Sequence, residues 1–279
     1  MTRKVFTLFL LLAATTSALR AQDDFFAKWE ARAGATQAKQ PNWPPPLISP
    51  YPMLIQVFRA DFTRQITPAL TSTWNYGAGR GLNLIPGLNS EVDVSYAPYI
   101  QHNTPKAKDG FGDVGFLYKY RFFSRNESQG AFMLSAQLAA TIPTGSYSNG
   151  SPDSAVAPTL LSGKGFRKFD VMSCLGGNLP TAETNKLGRS IAWNTTAQYH
   201  LAKYLWPELE ANTTYFFGGK NDGKKQNFVT PGIVFSKFKL RPSEERGRAG
   251  VAVGAGMQIA TSQFHTYNHA LAITSRIVF

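Results

Sequence analysis

Three side chains near the C-terminal end have the chemistry of a nucleophile and two bases: Ser262, His265 and His269. A hydroxyl activated by an imidazole can transfer acyl groups, and imidazoles can bind a metal ion. However, the histidines lie where a loop passes into a strand, and no third metal ligand lies nearby. No carboxylate follows Ser262, and no G-x-S-x-G motif occurs. We therefore predict no catalytic residue, no bound metal and no cofactor, and interpret these residues as part of a solvated loop.

A larger set of charged side chains recurs at alternate positions of strand-like runs. Alternate residues of a β-strand face the same side, so these charges share one face while aromatic and aliphatic residues share the other. We predict that the charged face lines the lumen of a barrel. The candidate residues are Arg59, Asp61, Glu91, Asp93, Asp113, Lys119, Arg121, His200, Glu208, Glu210 and Arg276.

Mirror symmetry about each turn predicts which of these side chains face one another. Hairpins centred near Lys106 and Tyr204 would bring complementary groups together across a ladder, which stabilises a sheet. The seam between the first and last strands would bring together Arg59, Asp61 and Arg276. A narrow, plugged interior fits this pattern as well as an open channel does. The expected pairs are Glu91 with Arg121, Asp93 with Lys119, His200 with Glu208, and Gln198 with Glu210.

The elements that position these residues are short runs of alternating polarity, separated by clusters of Gly, Asn, Asp, Ser and Pro. They predict an all-β fold, a transmembrane antiparallel up-and-down β-barrel of about 12 strands. Counts of about 10 to 14 are also compatible, because residues 77–89 fit no run. An even count places both termini on the periplasmic side. The four long polar loops, residues 104–110, 143–155, 180–188 and 218–226, are then expected outside. The runs are 53–64, 67–76, 90–101, 112–122, 132–142, 157–166, 170–178, 191–201, 208–217, 227–240, 251–259 and 268–279.

A soluble β-sandwich also has alternating strands, but two features favour the barrel. The runs are longer than the roughly five or six residues that are usual in soluble sheets. Their apolar faces are aromatic near the ends, as at Tyr118, Tyr120 and Phe122, which is typical of the aromatic girdles of membrane barrels.

Both ends of the chain indicate export to a bacterial outer membrane. Arg3 and Lys4 precede an apolar run and small residues, which predicts a signal peptide over residues 1–21. The barrel is expected over residues 53–279. Its final strand alternates in polarity and ends at Phe279. It resembles the closing strands that the barrel-assembly machinery recognises, which makes that machinery an expected partner.

Residues 22–52 form an N-terminal leader between the signal peptide and the barrel. Phe25, Phe26 and Trp29 have helical spacing and predict a short amphipathic helix. The Pro-rich stretch 41–46 predicts an extended connector that ends near Pro52. The sequence leaves open whether the leader plugs the pore or lies in the periplasm.

The charge and cysteine content of the chain limit the kinds of binding partner to expect. Without the signal peptide the chain has 26 basic and 17 acidic residues, a net charge of +9. An exported chain seldom meets nucleic acid, so we expect outer-membrane lipids and lipopolysaccharide as the anionic partners and exclude nucleic acid. The single cysteine, Cys174, permits no internal disulfide and is interpreted as a small buried or lipid-facing residue.

Two segments resemble the motifs of one outer-membrane family. Residues 110–122, G-F-G-D-V-G-F-L-Y-K-Y-R-F, are similar to a G-x-G-D motif followed by a strand that ends in K-Y-R. Residues 140–146, A-T-I-P-T-G-S, are similar to the l-P-T-G element that follows it. Together they resemble the barrel family named for the meta-pathway of phenol degradation, over roughly residues 58–279. Members of that family are described as transporters of hydrophobic or aromatic compounds.

This resemblance implies a passive channel, not an enzyme, for a small and hydrophobic or aromatic solute that the sequence does not identify. The motifs also have an architectural interpretation, with Asp113 pointing inward. Gly110 and Gly112 permit a tight entry into a strand, and Pro143 ends one because it lacks an N–H. The alternatives are a structural or adhesive barrel that has a blocked lumen and acts through its external loops, and a lipid-modifying enzyme.

Overall fold

Alternating polarity along the chain produces one antiparallel sheet. The computed structural model describes residues 25–77, 80–240 and 249–279, so the predicted signal peptide at 1–21 lies outside the described residues. Short helical turns occupy Glu127–Gln129, Thr184–Leu187 and Gly219–Asn221. The strands are β1 (Val57–Ile66), β2 (Ser72–Gly77), β3 (Gly81–Gly87), β4 (Ser90–Ser95), β5 (Tyr99–His102), β6 (Gly110–Phe111), β7 (Val114–Arg125), β8 (Phe132–Ile142), β9 (Ala155–Phe166), β10 (Phe169–Pro180), β11 (Arg189–Tyr199), β12 (Leu205–Phe217), β13 (Lys225–Lys239), β14 (Gly250–Ala260) and β15 (His269–Val278).

The sheet closes on itself because β15 returns to pair with β1, with Val57 opposite Val278. Three of the spanning strands are interrupted: β2 continues as β3, β4 as β5, and β6 as β7. Thus β1 pairs with both β2 and β3, while β7 pairs with β4 and β6 pairs with β5. The result is a closed barrel of 12 strands, as predicted. Residues 77–89, which fitted no predicted run, contain the second half of the second strand.

The two faces of the barrel differ sharply in polarity. On β7, Tyr118, Tyr120 and Phe122 are exposed, whereas Lys119 and Arg121 between them are buried. Because successive side chains point to opposite faces of a strand, the aromatic residues lie on the outer surface and the charges lie inside. The strands β1, β12 and β15 divide in the same way.

One predicted run changes face part of the way along. The pattern over 90–101 placed Tyr99 on the inner face, but its side chain is exposed and its ring contacts the rings of Tyr76 and Phe111 on the outer surface. The change occurs at Pro98, between β4 and β5. Proline has no N–H to donate to a ladder. Its carbonyl group accepts a hydrogen bond from the N–H of Gly112. The prediction of one uninterrupted strand is therefore wrong.

The connections differ between the two ends of the barrel. Short turns follow β3, β9 and β11 at the end that also holds the start of β1 and the end of β15, here called the turn end. The other end, here called the loop end, carries the connections 103–109, 143–154, 181–188, 218–224 and 261–268. The four long loops predicted from the sequence all lie at the loop end.

The leader forms a helix and then enters the barrel. Residues 25–38 are helical (α1), and α1 is tied to the turn end. There the hydroxyl of Thr36 donates to the carbonyl of Leu88, and the amide of Asn126 donates to the carbonyl of Ala38. Residues 41–56, here called the plug segment, continue without regular secondary structure. Within the described part of the chain, no helix combines the length and apolar character needed to cross a bilayer.

Candidate functional site in the barrel interior

The plug segment fills the middle of the barrel. Its side chains Trp43, Leu47, Tyr51 and Met53 are buried, and they join wall residues such as Met172 in one apolar cluster. An irregular segment in this position leaves its backbone N–H and C=O groups without a ladder, and buried backbone groups require partners. The wall therefore has to supply polar side chains to the plug segment.

Wall carboxylates accept hydrogen bonds from the backbone of the plug segment. Such charge-assisted bonds are stronger than bonds between neutral groups. They come from both sides of the interior, since β12 and β4 lie on different parts of the wall. The carboxylates and the residues whose N–H groups they accept are Glu208 with Leu47 (2.9 Å), Glu210 with Ile48 (2.8 Å) and Ser49 (2.7 Å), and Glu91 with Ile55 (2.5 Å).

Wall cations donate to the carbonyl groups of the same segment. The prolines of the plug segment have no N–H, so these carbonyls are their only backbone hydrogen-bonding groups. The donors and the carbonyl groups that accept from them are Arg276 with Pro45 (2.5 Å) and Pro46 (2.8 Å), Arg59 with Pro46 (3.1 Å) and Leu47 (2.6 Å), Arg80 with Ile48 (3.0 Å), and Lys119 with Met53 (3.1 Å).

The charges near the β1–β15 seam also pair with one another. Asp61 forms ion pairs with Arg59 at 2.7 Å and with Arg80 at 3.1 Å. Arg276 lies directly opposite Arg59 across the ladder. Asp61 offsets part of the repulsion between these two buried guanidinium groups, and carbonyl groups of the plug segment accept hydrogen bonds from both of them.

Leu47 fits a recess in the wall that only glycine can form. A Cβ at Gly232 would lie 2.4 Å from Leu47 Cδ1, and a Cβ at Gly256 would lie 2.7 Å from the same atom. A Cβ at Gly254 would lie 2.9 Å from Leu47 Cδ2. Glycine within a strand often marks the close approach of another segment. The three glycines on β13 and β14 therefore form a socket for Leu47.

Trp43 has a second socket on β9. Its ring lies where a Cβ at Gly163 would be 2.6 Å from Cζ3, and where one at Gly165 would be 3.0 Å from Cζ2. The alternation of these glycines places both on the inner face. The shape of the wall thus complements the plug segment at two separate anchors.

Partners across the β4–β7 ladder are displaced by two residues from those predicted. Glu91 lies opposite Lys119, to which it is ion-paired at 2.9 Å, and not opposite Arg121. Asp93 lies opposite Leu117. The centre of symmetry between the two strands lies one residue earlier than predicted. Each residue of β4 is therefore paired with a β7 residue two positions earlier than expected. A displacement by two leaves each side chain on its own face, whereas a displacement by one would not.

The same displacement occurs between β11 and β12. Gln198 lies opposite Glu208 and donates to its carboxylate at 2.7 Å, so the expected pair with Glu210 is wrong. The pair of His200 with Glu208 is wrong as well. His200 stacks instead on Trp206, with 4.2 Å between the ring centroids.

Arg121 and Asp93 have other surroundings. Arg121 Nη1 donates to the carbonyl of Thr36 at 2.8 Å, and its Nη2 donates to the carbonyl of Leu88 at 2.7 Å. It therefore ties α1 to the wall at the turn end. Asp93 is half-buried on the inner face of β4.

The two motif segments form one unit at the loop end. The carboxylate of Asp113 accepts from the N–H groups of Thr144 at 3.1 Å, Gly145 at 2.9 Å and Ser151 at 2.7 Å. The hydroxyl of Thr144 accepts from the N–H of Val114 at 3.0 Å. The carboxylate of Asp113 is thus engaged in shaping the loop after β8, which supports an architectural role for both motifs.

Ser262 and His265 do not form a nucleophile and base pair. The hydroxyl of Ser262 donates to the carbonyl of Phe264 at 2.7 Å. The ring of His265 contacts the carbonyl oxygen of Ser262 through Nδ1 and the side chain of Asn268 through Nε2. His269 is exposed. The described residues contain no group of three His, Cys, Asp or Glu that could hold a metal ion.

Among the described residues, two cavities lie beside the plug segment. The cavity toward the loop end has a volume of about 230 Å³ and is lined by Asp61, Arg80, Gln258, Tyr267, Thr274 and Leu47, among others. The cavity toward the turn end has a volume of about 60 Å³, and its lining includes Pro45, Val57, Ala252 and Arg276. Burial raises the pKa of Tyr267 to about 12, so its hydroxyl keeps its proton well into the alkaline range.

The plug anchors and several cavity residues were not predicted from the sequence. Arg80 lies in the stretch that fitted no run, and Leu47 lies in the connector. One signal was present: Gly163 with Gly165, and Gly254 with Gly256, alternate on strand-like runs. Glycines on one face of a strand leave room for another part of the chain.

Comparison with solved structures supports the fold. The chain is similar to an outer membrane channel from Pseudomonas putida F1, with 12% identity and a TM-score of 0.58 over 85% of this chain and 100% of that one. It is also similar to the NanC porin, with 8% identity and a TM-score of 0.52 over 80% of this chain and 98% of that one. No protein-family model and no curated protein matches. The resemblance to the phenol meta-pathway family therefore stays a prediction.

Proposed function

We propose that the protein is an outer-membrane β-barrel channel for small molecules, closed in this structure by its plug segment. The observation that carries this proposal is the inverted polarity of the barrel. Arg59, Lys119 and Arg276 are buried, whereas large apolar side chains such as Phe116 and Trp193 are exposed on the outside. A barrel with an apolar band outside and a polar interior suits a bilayer. The similarity to a channel and a porin supports the same function.

The solute that we propose is small and carries hydrogen-bonding groups. The larger cavity combines the guanidinium of Arg80, the amide of Gln258 and the hydroxyl of Tyr267 with the apolar side chains of Leu47 and Ile48. Such a mixture of apolar surface and a few polar groups is typical of small-molecule sites. The family resemblance favours an aromatic solute, and this lining favours aromatic compounds with hydroxyl or carboxyl groups.

The proposed channel needs no cofactor and performs no chemistry. Lys220, Lys224 and Lys225 lie at the loop end, where we propose that they contact lipopolysaccharide phosphates. We also propose that the barrel-assembly machinery recognises the terminal strand β15 and Phe279. Both partners remain proposals that binding experiments on the purified protein would test.

The first experiment is electrophoresis of the membrane fraction, unboiled and boiled, followed by recordings in planar lipid bilayers. A closed barrel is expected to resist unfolding in detergent and to shift its mobility on boiling. Current steps that a small aromatic acid reduces would support the channel. A single unshifted band in the soluble periplasmic fraction would reject both the membrane barrel and the transport function.

A structural or adhesive barrel with a blocked lumen is the second candidate. The dense hydrogen bonding between wall and plug segment favours it, because it fills the interior between the two cavities. This candidate predicts a heat-modifiable band without any conductance, so the same pair of experiments separates it from the channel.

A further inference from the structure

We infer that solute passes along one side of the barrel wall, and that residues 45–48 of the plug segment, here called the strap, form the gate. This inference rests on the proposed channel function. Only the strap has to move to open the route for solute, and the remainder of the plug segment stays bound to the wall.

The positions of the two cavities define the route. Arg276 and Thr274 are successive inward-facing residues of β15, and Arg276 lines the smaller cavity whereas Thr274 lines the larger one. Two residues of a strand span roughly 7 Å. On β14, Ala252 and Gln258 belong to the smaller and larger cavity respectively. The same wall therefore borders both cavities, and they are separated mainly by the strap and the side chains that hold it.

The lining of the cavities shows which part of the plug segment separates them. Pro45 contributes to the smaller cavity, and Leu47 and Ile48 contribute to the larger one. The passage is thus interrupted over about four residues. Ordering or releasing a segment this short is a common way to open a passage.

The strap is bound in a way that permits release. Pro45 and Pro46 have no N–H, so the first half of the strap bonds only through carbonyl groups, to Arg59 and Arg276. When the strap moves, those carbonyls and guanidinium groups meet the two cavities, where water can replace the lost partners. In the second half of the strap, Leu47 in its glycine socket supplies the apolar contact that helps to hold the gate closed. The backbone groups of Leu47 and Ile48 add their bonds to Glu208, Glu210, Arg59 and Arg80.

The rest of the plug segment has anchors of its own on other parts of the wall. Trp43 lies in the β9 socket, and the carbonyl of Pro52 accepts from the hydroxyl of Ser135 on β8 at 2.7 Å. Further along, the carbonyl of Met53 accepts from Lys119 on β7. These contacts lie away from the β14–β15–β1 wall, so the strap can move between fixed points.

Disulfide trapping in planar bilayers tests the gate on the full chain, with the buried Cys174 replaced by Ala. The pair Leu47→Cys with Gly232→Cys would bridge the strap to its socket, where the truncated side chain makes room for the new one. The matched pair Pro52→Cys with Ser135→Cys would bridge a fixed anchor. We expect oxidation to abolish conductance in the first pair, reductant to restore it, and oxidation of the second pair to have no effect.

The outcomes distinguish the gate from the channel itself. If the reduced proteins conduct and both bridges abolish conductance, the whole plug segment must leave, and a local gate is rejected. If neither bridge changes conductance, the route lies elsewhere. If no variant and no wild-type protein conducts, the proposed function fails and the gate fails with it. Leu47→Ala supplies a measurement that does not depend on bridge formation, because the gate predicts more frequent opening.

Discussion

Shortening Leu47 to Ala should shift the channel toward its open state. The side chain is buried against Gly232, Gly254 and Gly256, which have no side chains that could move into the space. Truncation of a buried leucine costs about 2–5 kcal/mol, and sites that cannot collapse lie toward the upper part of that range. The adjoining cavity admits water and lowers the cost, so we take about 3 kcal/mol. This corresponds to a roughly hundredfold increase in the ratio of open to closed strap.

Single-channel recording measures this ratio directly as the fraction of time spent open. The wild-type protein should be mostly closed, and Leu47→Ala should open far more often with the same current per opening, because the route itself is unchanged. An unchanged open fraction in a correctly folded variant would refute the assignment of the strap as the gate.

Leu54→Ala is the matched control for this prediction. Leu54 belongs to the same plug segment and is fully buried, but it packs with Ala33 and Ile85 in a separate cluster. The variant loses the same atoms without touching the strap. We expect it to destabilise the barrel against urea and to leave the open fraction as in the wild type.

Three further perturbations test other parts of the structure. Arg276→Gln removes the bonds to the carbonyls of Pro45 and Pro46 and should increase opening in the same recordings, whereas Arg276→Lys, which keeps a charge, should increase it less. Asp113→Asn weakens charge-assisted bonds worth about 1.5–3 kcal/mol each. Proteases should therefore cut loop 143–154 faster, while the heat-modifiable band persists. Equal cleavage rates in the variant and the wild type would contradict the role of Asp113. The raised pKa of Tyr267, about 12, means that the folded state keeps a proton that the unfolded chain loses above pH about 10. Stability against urea should therefore fall between these pH values, and Tyr267→Phe should reduce that fall.

The strand pattern and its faces were predictable because a pleated strand imposes a period of two on the sequence. Phe116, Lys119 and their neighbours show that period without interruption. The register was not predictable to the residue, because a turn can be centred on either of two adjacent positions without changing any face. The partner of Glu91 was therefore misassigned while its orientation was correct. Pro98 lacks an N–H and interrupts the backbone pairing, and Tyr99 after it faces outward. Hydropathy could not predict this change, because it depends on backbone hydrogen bonds.

The plug segment was the least predictable part of the site. Its Pro-rich composition indicates an extended chain but does not say where that chain lies. The position of the plug segment depends on residues elsewhere in the chain. Glycines such as Gly163 and Gly232 leave space for it at the wall, and charged residues such as Glu210 bind its backbone groups. Contacts between segments that are more than a hundred residues apart, such as Glu210 with Ser49, have no local periodicity to reveal them.

Most of the polar bonds between the wall and the plug segment end on main-chain atoms of the plug segment. These bonds do not depend on side-chain identity along the plug segment, so a saturation mutagenesis screen should find permissive positions there. The exceptions should be the buried apolar positions Trp43, Leu47, Tyr51, Met53 and Leu54. The wall positions should be intolerant, because Glu208, Glu210 and Arg276 act through their own functional groups. Plug sequences of different character could then be exchanged within one barrel, which would allow gating to be tuned without redesign of the lumen.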